Sequence, residues 1–132
     1  MPAADPSPDQ FRELMLNEEP GLQDVLTCVF GIQRHEARTY ETLLANPGST
    51  VEELADLLDR DRSNVNRSLS TLREKGLATR QRRLLDGGGH VYQYSATPLE
   101  EARALMHETL DEWTAYVHGR IDEFGEREDE RA

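Results

Sequence analysis

Residues 50–77 read TVEELADLLDRDRSNVNRSLSTLREKGL, and this stretch decides the fold. Thr50-Val51-Glu52-Glu53 has the form of a capping box, in which the threonine hydroxyl and the Glu53 carboxylate each satisfy a backbone N–H left open at a helix start. Leu54, Leu57 and Leu58 then supply one apolar face of a short helix. Asp59-Arg60-Asp61 breaks the pattern. Val65, Leu69 and Leu72 form a second apolar stripe that runs to Lys75-Gly76, with Gly76 the expected C-terminal cap. Two short helices joined by so tight a turn predict a helix-turn-helix, whose second helix, about 62–75, is the reading element.

Downstream, Leu77 to Leu85 and Val91 to Thr97 read as two strands around Asp86-Gly87-Gly88-Gly89, a flexible hairpin tip. Upstream, Leu22, Val25, Leu26, Val29 and Phe30 recur at helical spacing and stop at Gly31. Ala37, Tyr40, Leu43 and Leu44 mark a further helix ended by Asn46-Pro47-Gly48. Ser7-Pro8-Asp9-Gln10 is a capped start for a short N-terminal helix through Leu16. Pro98 opens a long last helix, with Leu99, Ala102, Met106, Leu110, Trp113, Val117, Ile121 and Phe124 spaced mostly three or four apart. The expected fold is mainly α with a small β-hairpin wing: a winged helix-turn-helix plus a long C-terminal dimerisation helix. Its parts are an N-terminal arm and short helix (1–19), a winged DNA-binding domain (20–97, wing about 77–97), the dimerisation helix (98–125) and a charged, frayed tail (126–132).

The 132 residues carry a net charge of −11, which looks wrong for a nucleic-acid partner until it is divided by segment. From Arg60 to His90 there are eight cations and three anions, a net +5, against −16 for the rest of the chain. One basic surface on an acidic body points to a polyanion. Fourteen of the fifteen cations are arginine. Acid excess with lysine scarcity resembles the protein style of extreme halophiles, although an acidic mesophile protein shares the composition.

With Val65, Leu69 and Leu72 turned inward, Ser63, Arg67 and Ser70 lie on the opposite face, flanked by Arg62, Asn64, Asn66 and Thr71. Arginine can grip guanine bidentately, asparagine can grip adenine, and serine and threonine reach phosphates or bases. Arg80, Arg82 and Arg83 beside the glycine tip suit phosphate or minor-groove contact. These residues form the candidate DNA-binding set. Solvated helix and strand side chains would look the same one at a time; the turn, the wing and the charge segregation together favour double-stranded DNA. A winged helix used as a protein–protein interaction module of a transcription assembly is the rival reading, and the basic face argues against it.

Several of these residues carry a family resemblance: Phe30-Gly31-Ile32, Glu36-Ala37, Tyr40, Leu43-Leu44, Val51 to Leu58, Arg62-Ser63-Asn64-Val65 and Leu72-Arg73-Glu74-Lys75-Gly76-Leu77. Together they resemble the winged DNA-binding domain of TrmB-type archaeal transcriptional regulators, with MarR-type domains second. The resemblance spans roughly residues 25–97 and specifies fold and DNA binding better than subfamily. Gln33 stands where the family usually has a serine or threonine cap. The chain ends too soon for the sugar-binding domain of full-length TrmB proteins, so a sugar effector is not implied.

A homodimer is expected through Met106, Leu110, Trp113, Val117 and Ile121, because the apolar positions of the last helix exceed what it can bury on so small a domain. His107 and His118 have a spacing similar to the zinc site of some ArsR-type sensors, but Leu105 and Ile121 replace the acidic ligands, so no metal is expected. His35 and His90 have no spaced partners. Cys28, the lone cysteine, sits among apolar neighbours; inert packing is the first reading and a redox switch the second. No phosphate loop, nucleophile elbow or paired catalytic spacing is present, so neither an enzyme nor a cofactor is expected. With no signal-peptide pattern, no membrane-length apolar stretch and one cysteine, a cytoplasmic protein is the default.

Overall fold

In the computed structural model, residue 16 and residues 19–131 are described, with side chains through residue 125. Apart from Leu16, the helix expected from Ser7-Pro8-Asp9-Gln10 lies outside the described residues. Helix α1 (Leu22–Phe30) closes at Gly31, whose φ of 69° places it in the left-handed region that glycine enters without penalty. Helix α2 (Arg34–Ala45) follows, and α3 (Val51–Leu58) begins as its sequence demands, with the Thr50 hydroxyl accepting from the Glu53 N–H at 3.2 Å. Leu54, Ala55 and Leu58 form the buried face of α3, whereas Leu57 is exposed.

The three-residue turn to α4 (Arg62–Glu74) rests on two acids. Asp59 takes a left-handed conformation, φ 52°, which aspartate tolerates better than most residues. Asp61 caps α4, its carboxylate accepting from the Asn64 N–H at 2.8 Å. At the far end, Leu77 N–H donates to the Leu72 carbonyl at 2.8 Å and Gly76 N–H to Arg73, a left-handed closure that turns the chain into the wing. Strands β1 (Ala78–Leu84) and β2 (His90–Ala96) pair antiparallel, from Ala78 opposite Ala96 to Leu84 opposite His90. A further rung joins Ser49 to Tyr94, with Tyr94 N–H donating to the Ser49 carbonyl at 2.7 Å, so the wing base is stitched to the entry of α3.

A single core gathers Leu26, Tyr40, Leu43, Leu54, Val65, Leu69, Leu72 and Leu77, all fully buried. The Tyr40 hydroxyl donates to the Thr97 carbonyl at 2.7 Å and so ties α2 to the exit of the wing. Helix α5 (Leu99–Arg131) is 33 residues long. It runs beyond residue 125, where the apolar spacing ends, because the Glu- and Arg-rich composition that follows has good intrinsic helix propensity. Its first turns pack on the domain through Ala102 and Met106, while from His107 to Gly125 no side chain is buried. Met106, expected at a dimer interface, therefore belongs to its own chain's core: it is only 8% exposed.

Candidate nucleic-acid interface

The solvent face of α4 follows from the burial of the other side. Val65, Ser68, Leu69 and Leu72 are buried, so the helical period turns Ser63, Asn66, Arg67 and Ser70 to solvent. Asn64 and Thr71, at the edges of the face, are half-buried. Asn64 is engaged twice with Asp61, through its backbone N–H and through its side-chain amide at 2.9 Å, which makes it part of the cap. Arg62 is exposed and reaches Glu52 at 3.2 Å; both side chains are about 70% exposed, so this pair is weak.

The wing divides its arginines. Strand alternation puts Arg80 and Arg82 on one face and Arg83 on the other, all exposed. The Arg80 guanidinium lies 4.0 Å from the centre of the Tyr92 ring, a cation–π contact that steadies it beside α4. Between α4, the start of α3 and the wing runs an open groove of about 490 Å³, lined by Thr50, Glu52, Arg62, Asn66, Arg80, His90 and Tyr92. Arg62, Asn66 and Arg80 thus share one concavity although they come from different elements. Leu84 and Leu85, exposed, flank the glycine tip.

Residues 26–100 match the family model described as the sugar-specific transcriptional regulator TrmB. The chain belongs to the TrmB family. Uncharacterized protein MJ1503 of Methanocaldococcus jannaschii is 33% identical over 99 residues, covering 75% of each chain. A possible transcriptional regulator from Methanosarcina mazei is 25% identical and superposes with a TM-score of 0.69, covering 83% of this chain and 92% of its own. The archaeal chromatin protein TrmBL2 shares the fold, with a TM-score of 0.63 at 21% identity over 83% of this chain and 38% of its own. TrmB proteins are transcriptional regulators, and the expectation of a regulator rather than an enzyme rests on that membership.

In this TrmB-family chain the unusual cap Gln33 makes no side-chain cap hydrogen bond. Glu36 takes over part of the task, its carboxylate accepting from the Gln33 N–H at 2.7 Å. The Gln33 side chain turns instead to His35, a residue whose sequence spacing suggested no partner. His35 meets Arg60 and the buried Ser68, 25 and 33 residues away along the chain. No periodicity or motif in the sequence signals that meeting.

Inert packing of Cys28 is overturned: the cysteine is exposed. Leu26 and Phe30 point α1 into the core, and Cys28, about 200° around the helix from Leu26, faces away. Exposure meets the access that oxidation requires, while Arg34, the next cation in sequence, is engaged with Asp24 at 2.8 Å. His107 lines an apolar groove between α1 and α5, and among the described residues no group of His, Cys, Asp and Glu could hold a metal ion. No helix among them is long and apolar enough to cross a membrane.

Proposed function

We propose that this TrmB-family protein binds double-stranded DNA sequence-specifically as a homodimer, with α4 in the major groove and the wing on the backbone or minor groove. The observation that carries this reading is the exposed row Ser63, Asn66, Arg67 and Ser70, which has no internal hydrogen bond or ion pair among the described residues. Four polar side chains held on a rigid helix with their donors and acceptors free match base edges and phosphates. Arg62 and Arg80 border the same groove and supply counter-charge for the backbone.

The dimer is supported by α5, where Leu110, Trp113, Tyr116, Ile121 and Phe124 are 41–68% exposed on a helix of about 50 Å. Leu110, Trp113, Val117, Ile121 and Phe124 recur at three- and four-residue intervals, a stripe suited to a second copy. Two-fold pairing would set half-sites about one helical turn apart. The test is mobility shift with random duplex, followed by selection of preferred sequences from a random pool. Retarded complexes and a two-fold enriched motif are expected. Absence of any shift at low salt would favour the protein-interaction module instead.

A further inference from the structure

Beneath the outer edge of α4, the start of α2 and the helix-turn-helix turn enclose a polar pocket in which His35, Arg60 and Ser68 meet. The direction of each hydrogen bond is fixed by chemistry. A guanidinium has donors and no acceptor, so the 2.9 Å contact from Arg60 Nη1 to His35 Nδ1 requires an unprotonated Nδ1. The imidazole proton then sits on Nε2, which donates to the Gln33 amide oxygen at 2.6 Å. Ser68 Oγ lies 3.2 Å from His35 Nδ1 and accepts from Arg60 Nη1 at 3.4 Å. Ser68 is 1% exposed and sits next to Arg67 on the reading helix.

We propose that His35 and Arg60 are positioning residues for DNA binding: through Ser68 they clasp the reading helix to α2, and protonation of His35 opens the clasp and weakens DNA binding in mildly acidic solution. The inference rests on the reading of α4 as the DNA-contacting helix. A protonated Nδ1 would aim its N–H at a guanidinium 2.9 Å away, replacing an acceptor with a like charge. The charged groups around His35 are Arg60 from the turn, Arg67 from α4 and Glu36 from its own helix. The Glu36 carboxylate is already committed to the Gln33 N–H. Burial first, and then Arg60, hold the His35 imidazole below the ordinary histidine range, against a smaller upward pull from Glu36. Because the folded protein resists this proton, the clasp is complete above the ordinary value of 6.5 and is lost as the pH falls through the depressed one. Val65, Leu69 and Leu72 keep α4 in the fold throughout, so the consequence is a misplaced reading face rather than unfolding.

The experiment measures affinity for a duplex selected with the wild-type protein at about pH 7.5 and at a pH about one unit below the His35 titration midpoint found by nuclear magnetic resonance, where most of the imidazole is protonated. The ratio of the two is compared with that of His35→Asn, which retains an acceptor near Nδ1 and cannot titrate. The wild type is expected to bind about tenfold more weakly at the lower pH, the loss of roughly one good hydrogen bond, and the variant to vary by about twofold or less. Equal ratios in the two proteins, or a wild type that tightens on acidification, would overturn the proposal; tightening would mark His35 as a phosphate contact. Nuclear magnetic resonance of the imidazole in the free protein separates this from the DNA reading. An Nε2–H tautomer whose titration lies below the ordinary range, and moves upward in Arg60→Met, is expected. Titration at the ordinary value with no response to Arg60→Met would refute the clasp whatever DNA does. A clasp that titrates as described in a protein that binds no duplex at either pH would instead overturn the DNA reading and the positioning role with it.

Discussion

Replacing Arg67 with alanine separates the proposed DNA recognition from folding. Its side chain is exposed and makes no hydrogen bond or ion pair among the described residues, so truncation opens no cavity and orphans no partner. The effect on unfolding free energy is expected to stay within about 0.5 kcal/mol, as for ordinary surface positions. In the proposed complex the side chain stands at the centre of the face turned to DNA, where a bidentate arginine contact contributes about 1–3 kcal/mol of discrimination at one base pair. Five- to 150-fold of the preference for a selected duplex over a scrambled one is thus at stake, by the rule of about tenfold per 1.4 kcal/mol. Arg67→Lys sharpens the test. It keeps the charge, and hence the salt dependence of binding, but lacks the fork that reads two acceptors at once. Fluorescence anisotropy in competition between the two duplexes at fixed salt, with a thermal melt as control, would measure both effects. Undiminished discrimination in Arg67→Ala, with the melt unchanged, would refute the placement of α4 as the reader.

The wing is expected to contribute affinity without choice of sequence, so Arg80→Ala with Arg82→Ala should make the slope of log affinity against log salt less steep by about 0.9 per lost phosphate contact, with operator preference kept. A changed preference at constant slope would make the wing a base reader. Tyr40→Phe removes the hydroxyl that donates to the Thr97 carbonyl at 2.7 Å from a fully buried ring. A loss of about 1–2 kcal/mol is expected, seen as a lower urea midpoint at unchanged slope; an unmoved midpoint would show that the wing exit does not depend on α2. Trp113→Glu, on a side chain 61% exposed in the single chain, should give a folded monomer with weakened DNA binding. A wild type that sediments as a monomer at micromolar concentration would end the dimer proposal.

The helix-turn-helix, its caps and the outward face of its second helix were legible because each is written in local chemistry. Thr50 caps α3 and Asp61 caps α4 within three residues of the groups they satisfy, and the stripe of Val65, Leu69 and Leu72 alone orients Arg67 outward. Gly76 marked the exit to the wing because only a left-handed residue lets Leu77 fold back onto Leu72. Tertiary packing decided the rest. Met106 and Leu110 continue one apolar pattern, yet α1 covers the first and leaves the second 41% exposed, a boundary that periodicity cannot show. Apolar neighbours in sequence suggested that Cys28 was packed, whereas the rotation of α1 about Leu26 and Phe30 turned it to solvent. The Ser49 rung on Tyr94 and the meeting of His35 with Arg60 and Ser68 depend on how α2, α3 and α4 close around one core. A period of 3.6 or 2 residues tells which way a side chain faces along its own element, but the partner it meets there is set by contacts tens of residues away.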